Sequence, residues 1–306
     1  MTLWALLAEQ PAYFLTLATV LGLLVGSFIN VLVYRLPIML ERQWQREAQE
    51  VLGLPTTQHA RFDLCLPASR CPHCAHRIRA WENIPVISYL ALGGRCSSCK
   101  NRISLRYPVV EVASALLSLV VAWRFGASVE ALVALPLTWC LLALSLIDAD
   151  HQLLPDVLVL PTMWLGLIVN AFGIHVPLAD ALWGAVAGYL SLWTVYWVFR
   201  LVTGKEGMGY GDFKLMALIG AWGGWQVLPL TLRCRRWWGR CLACACCVFA
   251  GMPWARQSRL ALIWQLRGGL PCSGVMKYTP HTCNCLDTDD HCGLYPLDSR
   301  PDRRHW

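Results

Sequence analysis

Charged residues are scarce in this chain, and their scarcity excludes most soluble classes of protein. Only 15% of the 306 residues are Asp, Glu, Lys or Arg, whereas 56% are hydrophobic and the mean hydropathy is +0.45. Average soluble domains carry about 25% charged and about 45–50% apolar residues. The composition therefore excludes a disordered chain and argues against a soluble enzyme or a nucleic-acid-binding protein.

Two further patterns are missing from the sequence. Apolar and polar residues do not alternate with a period of two, which excludes a transmembrane β-barrel. No basic stretch precedes the first apolar run, because Glu9 stands before it, and the run over 12–34 is longer than the core of a signal peptide. We therefore expect this run to be retained as a membrane helix.

Apolar runs recur along the chain instead. Their length is close to the roughly 20 residues that cross a hydrocarbon core of about 30 Å. They predict an all-α polytopic membrane protein with six transmembrane helices. The six runs are 12–34, 107–125, 129–147, 154–174, 180–201 and 213–232.

A polar segment over 36–106 separates the first two runs and sets the predicted orientation. It carries ten Lys or Arg residues against five acidic ones, and both of its ends adjoin membrane helices. Because basic loops face the cytoplasm, we expect this segment on the cytoplasmic side, together with the turns at 148–155 and 200–212. Within it, 39–52 predicts a short helix, and the remainder predicts a compact loop domain.

The composition changes abruptly after Leu232. Residues 233–306 hold nine cysteines and eleven basic residues, and their best apolar window covers only the 14 residues 241–254. A disulfide-rich tail is one interpretation, although its cysteine spacing is irregular. We favour a shifted reading frame without an evolved fold. The predicted organisation is thus a first helix over 1–35, a loop domain over 36–106, a membrane domain over 107–232 and this tail.

Two C-x-x-C pairs are the strongest local signal. Cys71 and Cys74 are followed, after 21 residues, by Cys96 and Cys99. Each pair can deliver two thiolates to one ion, and two pairs complete the closed tetrahedral site of a structural Zn²⁺. Chance pairs and a redox dithiol are the alternatives, and a reducing cytoplasmic location disfavours disulfides. A four-cysteine site leaves no position for water, so the predicted zinc builds structure.

The glycine-rich segment 207–212 is the second signal. Gly207, Gly209 and Gly211 permit positive φ or a close approach of another chain segment, and Asp212 then opens the last apolar run. From these residues alone, a helix N-cap is the favoured interpretation of Asp212, since Asp is a preferred cap that the helix dipole keeps ionised.

Three acidic residues at the 148–156 turn form the third signal, namely Asp148, Asp150 and Asp156. A solvated turn in which Asp156 caps the next helix is the structural alternative. Carboxylates at membrane depth are functional candidates, and Asp148 is the best of the three because it directly follows an apolar run. Paired with Asp212 at about 3 Å, it would share one proton, so that the ionised group activates water and the protonated group polarises a peptide carbonyl.

These motifs together resemble the bacterial type IV prepilin peptidases, over about residues 1–231. Two further motifs carry the resemblance, Gly26-Ser-Phe-Ile-Asn30-Val and Trp81-Glu82-Asn83-Ile-Pro85. The resemblance implies a membrane aspartic peptidase of the Gly-x-Gly-Asp type, with Asp148 and Asp212 as its essential aspartates. Gly209, Gly211 and Lys214 support this motif. Family members have eight spans, so the tail stands where two more are expected.

The resemblance also implies substrates, a cofactor and a location. The family cleaves the leader from type IV prepilins and type II secretion pseudopilins at the cytoplasmic face of the bacterial inner membrane. Many members then methylate the new N-terminal residue with S-adenosylmethionine, an activity linked to the cysteine-containing loop. The residues do not identify the site of that cofactor in this chain, although Gly93 and Gly94, just before Cys96, could let it approach the backbone closely. Its expected partners are pilin-type substrates and the lipid bilayer, without nucleic acid.

Two other functions remain open at this point. One is a non-catalytic membrane scaffold of a pilus or secretion assembly, whose zinc loop recruits a cytoplasmic partner. The other is a proton-coupled transporter, which would need carboxylates near the middle of a span rather than at the turns.

Overall fold

The structure, a computed structural model, describes residues 9–55, 61–205 and 208–235. In this part of the chain the backbone is mainly α-helical, and β structure is confined to two isolated bridges in the loop between the first two long helices. The α-helices are α1 (Pro11–Val51), α2 (Ile87–Ala91), α3 (Arg106–Phe125), α4 (Val129–His151), α5 (Asp156–Ala171), α6 (Leu178–Thr203), α7 (Tyr210–Gly223) and α8 (Leu228–Arg235). Two 3-10 turns cover Ala80–Asn83 and Trp225–Val227.

Four helices of the described residues are long and apolar enough to cross a membrane, namely α1, α3, α4 and α6. The chain is therefore a multi-pass, all-α membrane protein, as the apolar runs predict. The other two runs are helical but shorter. Helix α5 has 16 residues and α7 has 14, which correspond to about 24 Å and about 21 Å at 1.5 Å per residue.

The first helix is longer than predicted. It continues for 41 residues through Pro37 to Val51, so residues 39–51 are helical as predicted but extend α1 and do not form a short helix of their own. Pro37 removes only one backbone donor, and the residues that follow are strong helix formers such as Glu, Gln, Arg and Ala. At the other end of the described chain, the run 213–232 is divided, because Gly224 takes a φ of 74° and ends α7.

Helix α3 packs along α1 through small residues. A Cβ atom at Gly26 would lie 2.7 Å from the Cα of Glu111, so only glycine permits this approach of the two backbones. Ser114 and Ser118 of α3 are fully buried in the same interface. Small residues at such crossings are typical of membrane helices, which gain little from apolar burial against each other in lipid.

Helices α5, α6 and α7 form a second group. Gly184 of α6 and Gly220 of α7 face each other so closely that neither can carry a side chain. The main core lies beside this contact and joins α4 to the group. Its fully buried members include Leu144 of α4, Val159 of α5, and Phe213 and Leu218 of α7. This core determines where α7 begins relative to the turn between α4 and α5.

Most of the predicted tail lies outside the described residues. Helix α8 ends at Arg235, and residues 236–306 are not described. The shifted reading frame therefore stays a prediction, which the nucleotide sequence around codons 228–236 would test.

Candidate functional site

The four predicted cysteine ligands come together in the loop between α1 and α3. The sulfur atoms of Cys71, Cys74, Cys96 and Cys99 all lie within 4.8 Å of one another. The Cys71 and Cys99 sulfurs are 3.8 Å apart, and the Cys74 and Cys96 sulfurs are 3.9 Å apart. Four thiols converging in this way can hold one metal ion.

The cysteine pairs sit in two copies of one backbone turn. In each copy the amide of the first cysteine donates to the carbonyl five residues later, from Cys71 to His76 (2.9 Å) and from Cys96 to Asn101 (2.8 Å). These turns aim the two thiols of each pair in the same direction. Flanking arginines close each turn with an antiparallel bridge, between Arg70 and Arg77 and between Arg95 and Arg102.

The same repeat continues in the backbone dihedral angles. The residue after the second cysteine takes a positive φ in both copies, 56° at Ala75 and 58° at Lys100. The underlying pattern Arg-Cys-x-x-Cys-x-x-Arg-Ile occurs at 70–78 and at 95–103. Sequence reasoning used only the cysteine spacing and missed this longer repeat, which also includes the flanking arginine and isoleucine residues.

The thiols differ in acidity. Hydrogen bonds from the backbone of Cys99 and Ser98 lower the pKa of the Cys96 thiol to about 6. A hydrogen bond from the Asn101 backbone lowers the pKa of the Cys99 thiol, but desolvation and the neighbouring thiols outweigh it and raise this pKa to about 11. Four thiols this close cannot all ionise without a cation among them, so metal binding releases protons.

Glu82, from the Trp-Glu-Asn-Ile-Pro motif, joins the two cysteine turns. Its carboxylate accepts a 2.9 Å hydrogen bond from the Arg79 amide and lies 3.4 Å from Nε2 of His76 in the first turn. The backbone of Arg79, the Ser97 hydroxyl of the second turn and His76 together lower the pKa of this carboxyl group. An ionised Glu82 therefore links both halves of the cluster.

The two glycines before Cys96 differ from each other. Gly94 takes a φ of 67°, and a Cβ atom there would lie 2.8 Å from the Tyr89 hydroxyl oxygen, so the local fold itself requires glycine. Gly93 also has a positive φ, but nothing lies within 4 Å of its Cβ position. Gly93 is thus the member of the pair with an open face.

Asp148 lies in the last turn of α4. It is half-buried, and it follows Ile147, which is fully buried in the core shared with α1 and α3. Its carbonyl accepts a 2.9 Å hydrogen bond from Gln152, which ends the helix in the left-handed conformation with a φ of 52°. The chain then turns through Leu153 and Leu154 into α5.

Asp212 lies in the first turn of α7, and the interpretation that it is the N-cap is wrong. Gly209 occupies the cap position, with a φ of −80° and no side-chain cap, so the helix begins two residues before Asp212. Gly209 therefore needs no positive φ. Gly211 does permit a close approach, because its Cβ atom would lie 3.0 Å from Cβ of Leu154. Gly207 lies outside the described residues.

Lys214 ties α7 to the start of α5. Its ammonium group donates to both carboxylate oxygens of Asp156, at 2.8 and 2.6 Å. Asp156 is the first residue of α5, and Pro155 holds the cap position, so the interpretation that Asp156 caps this helix is also wrong. The ion pair and the Gly211–Leu154 contact hold the first turn of α7 against the turn that follows Asp148.

An aromatic cluster supports the same turn of α7, and sequence reasoning missed it. Phe213 of α7 and Tyr196 of α6 are fully buried, and their ring centroids are 5.7 Å apart. Tyr210 of α7 packs against both rings. The Tyr210 and Tyr196 hydroxyl oxygens are 3.4 Å apart. Large rings on α6 thereby fix the angle at which α7 enters.

Asp150, the remaining acidic residue of the 148–156 turn, contacts the start of α3. Its carboxylate forms an ion pair with Arg106, the first residue of α3. This contact brings the end of the cysteine-containing loop to the same end of the helices as Asp148.

Comparisons with known proteins place this chain in a family. Residues 20–125 match the bacterial peptidase A24 N-terminal domain, and residues 135–252 match the type IV leader peptidase family. No solved structure matches the chain.

Three relatives are each described as a prepilin leader peptidase/N-methyltransferase. The protein from Pseudomonas putida is 81% identical over 232 residues, which cover 76% of this chain and 81% of the relative. The protein from Pseudomonas aeruginosa is 66% identical over 74% of this chain and 78% of its own length. The protein from Aeromonas hydrophila is 52% identical over 72% and 77%, respectively. The chain belongs to the type IV leader peptidase family.

Proposed function

We propose that this chain cleaves the leader peptide of type IV prepilins and type II secretion pseudopilins and then methylates the new N-terminal residue. The observation that carries the peptidase half is the contact of Gly211 with Leu154. It joins the turn that bears Asp212 to the turn that follows Asp148, although 63 residues separate these aspartates in the sequence. The names of the relatives favour an enzyme over the scaffold alternative.

Asp148 and Asp212 form the cleaving pair in this proposal. The ionised carboxylate takes a proton from water, and the resulting nucleophile attacks the peptide carbonyl. The protonated partner donates a hydrogen bond to the carbonyl oxygen, and its proton then goes to the leaving amine. Lys214 does not neutralise the pair directly, because its ammonium group is bonded to both oxygens of Asp156. Its role in the proposal is to position the first turn of α7.

The four cysteines bind one structural Zn²⁺ in this proposal. A tetrahedron with Zn–S bonds of about 2.3 Å has edges of roughly 3.8 Å. Two of the sulfur separations, 3.8 and 3.9 Å, match this edge, and all four sulfur atoms lie within 4.8 Å of one another, which supports a zinc site. Four sulfur ligands complete the coordination, so this metal holds the loop together and takes no part in hydrolysis.

S-adenosylmethionine supplies the methyl group of the second activity. The approach of this cofactor is assigned to the backbone beside Gly93 and Gly94, and of these two Gly93 has the open face. The chain's own contribution is to present a deprotonated N-terminal amine near the loop. The Arg106–Asp150 ion pair supports this arrangement, since it holds the end of the loop close to the helix that carries Asp148.

The location follows from the charge of the loop. The ten basic residues of the segment 36–106, three of which lie in α1 and α3, favour the cytoplasmic face of the bacterial inner membrane. The aspartates face the same side in this proposal, because the loop ends at Arg106 and Arg106 binds Asp150.

The full-length protein, reconstituted in vesicles with a purified prepilin and methyl-labelled S-adenosylmethionine, tests both activities. We expect a shortened pilin that carries the label on its new N-terminal residue. A scaffold would leave the prepilin intact, and a peptidase without the second activity would give shortened, unlabelled pilin.

A second reaction separates the two activities. Pilin that has already been cut should be labelled equally by the wild-type protein and by the Asp148→Asn variant. If the intact protein does not label cut pilin, the methylation half of the proposal is wrong.

A further inference from the structure

The loop exposes a row of large apolar side chains that the proposed activities do not use. We name the apolar stripe as the four residues Trp81, Ile84, Ile87 and Leu90, which follow one another at intervals of three. Their exposed fractions are 54%, 43%, 64% and 71%. Single exposed apolar residues are ordinary on a soluble surface, but four within ten residues of the chain are a concentration that indicates a contact surface.

The stripe lies close to the membrane end of α3. The Val86 amide, in the middle of the stripe segment, donates a 2.8 Å hydrogen bond to the Glu111 carboxylate of α3. Glu111 is buried in the second turn of this membrane helix, and helical side chains lean toward the N-terminus. Val86 therefore lies level with the first two turns of the span.

Two exposed tyrosines mark the same level. Tyr34 of α1 and Tyr107 of α3 are 46% and 41% exposed, and Asn30 of α1 donates to the Tyr107 carbonyl at 3.2 Å. Tyrosine and tryptophan rings are enriched where a bilayer meets water, because one end of each ring is apolar and the other polar. Trp81 at the edge of the stripe suits the same environment.

The backbone turns at this point so that the stripe faces away from the protein. Val86 adopts a φ of 59°, which is unfavourable for a β-branched residue, and its hydrogen bond to Glu111 holds it there. Pro85 is buried, whereas the flanking Ile84 and Ile87 are exposed. The short helix α2 is thus fixed with its apolar side outward.

Basic residues flank the stripe. Arg79, Arg95 and Arg106 are all exposed, and an apolar face with basic neighbours is typical of segments that lie in the headgroup region of anionic membranes. We infer that the apolar stripe inserts at the boundary between lipid headgroups and acyl chains, and that it seats the cysteine-containing loop on the membrane. The loop domain is then an interfacial unit rather than one suspended in the cytoplasm.

Photolabelling from the lipid tests this inference on the full-length protein. The protein is reconstituted in phosphatidylethanolamine and phosphatidylglycerol vesicles that contain a phospholipid with a diazirine in its acyl chain, and labelled residues are mapped by mass spectrometry. We expect Ile87 and Leu90 to be labelled about as strongly as Val109, a 61% exposed residue of α3. The matched control is Leu52, which is 70% exposed like Leu90 but lies roughly 25 Å beyond Arg35 along α1. It should be labelled several-fold less.

A variant provides a second measurement. Ile87→Asn combined with Leu90→Asn should reduce the lipid label at Trp81 and speed tryptic cleavage at Arg79 in vesicles, whereas Leu52→Asn should change neither. Full metal content in each variant would show that the loop has folded.

Two outcomes would overturn the inference. In one, Val109 is labelled while Ile87 and Leu90 stay at the level of Leu52. In the other, the stripe loses its lipid label when a pilin substrate is added, which would assign this surface to a protein partner. Neither measurement depends on cleavage or methylation, so failure of the proposed function would leave the inference standing.

Discussion

The cysteine cluster and the proposed pair of Asp148 and Asp212 are built in opposite ways. All four cysteines lie within 71–99, and two copies of one short hydrogen-bonded turn aim their sulfurs at a common point. Asp148 and Asp212 come from helices that are distant in sequence, and the packing of α7 on α5 and α6 determines where they lie. The first site depends on local backbone geometry, and the second depends on the tertiary fold.

This difference predicts that the two sites respond differently to damage. A change within a cysteine turn should alter the metal and the loop without moving the long helices. A change at the start of α7 should alter cleavage without releasing metal. Contacts that join the loop to the long helices include Arg106 with Asp150 and Val86 with Glu111, and at such contacts the separation can fail.

The largest effect is expected from Asp148→Asn or Asp212→Asn. Either change should lower prepilin cleavage by at least about 10³-fold, since positioned acid–base groups contribute about 10²–10⁴-fold. The double variant should be no worse than either single variant, because the two groups act as a unit. Cleavage is measured from pilin length on gels. Metal content should stay at one zinc per chain, and loss of zinc from these variants would contradict the separation of the two sites.

Cys96→Ser should remove most of the bound zinc, because three thiolates leave the closed tetrahedron incomplete. The measurement is zinc per chain in the purified full-length protein. Cys65→Ser is the matched control, since Cys65 is an exposed free cysteine of the same loop that lies outside the cluster. Full zinc in the Cys96→Ser protein would show that the four-sulfur assignment is wrong.

The sequence predicts the local site better than the assembled one. Each C-x-x-C spacing brings two cysteines together because the turn between them has little conformational freedom, and Glu82 links the two turns. For Asp212, the residues alone favour a helix cap, and only the contacts of Gly211, Lys214 and Phe213 with other helices place it inside the first turn of α7. The other residues in these contacts lie outside α7, so the sequence of α7 alone does not predict the contacts.

The helices follow the same rule. The long apolar runs predict the spans α3, α4 and α6 to within a few residues, because burial in lipid requires a continuous apolar helix. Their ends are less predictable. Pro37 does not end α1, whereas Gly224 takes a positive φ and divides the last run.

Lys214→Gln or Asp156→Asn should lower the rate of cleavage by between about 10- and 100-fold. Loss of the ion pair would shift the first turn of α7 and Asp212 with it, and a small misplacement of reacting groups has an effect of this size. The ion pair is half-exposed, so little loss of stability is expected. Exchanging the two charges, with Lys214→Asp and Asp156→Lys together, should restore part of the activity, and Lys205→Gln is the control for charge alone. If the exchange variant cleaves no better than the single variants, positioning by this pair is refuted.

Glu82→Gln should reduce zinc retention, measured in competition with a chelator, by about tenfold. Loss of a group that orients metal ligands without binding the metal typically lowers metal affinity by about 10- to 100-fold. The carboxyl pKa is below its usual value of 4.5, so its stabilisation is complete above that pH and is lost only as the pH falls further. The Arg79 amide and the Ser97 hydroxyl, which also stabilise the carboxylate, do not titrate, so the variant should retain less zinc than the wild type throughout the range from about pH 6 to about pH 8. Glu50→Gln, at an exposed acid of α1, is the control. A variant that retains as much zinc as the wild type in this range would refute the role of Glu82.

The smallest effect on cleavage is expected from Asp150→Asn. Asp150 lies two residues from Asp148 on the same helix, but its carboxylate binds Arg106, which is 46% exposed. Half-exposed ion pairs contribute about 0.2–1 kcal/mol, so cleavage should fall by no more than about fivefold. The same assay on Asp148→Asn provides the matched comparison. An inactive Asp150→Asn protein beside an active Asp148→Asn protein would reverse the choice of carboxylate. It would also mean that the loop reaches the cleavage site through Arg106, because the residue that anchors the end of the loop would then be the one that cuts.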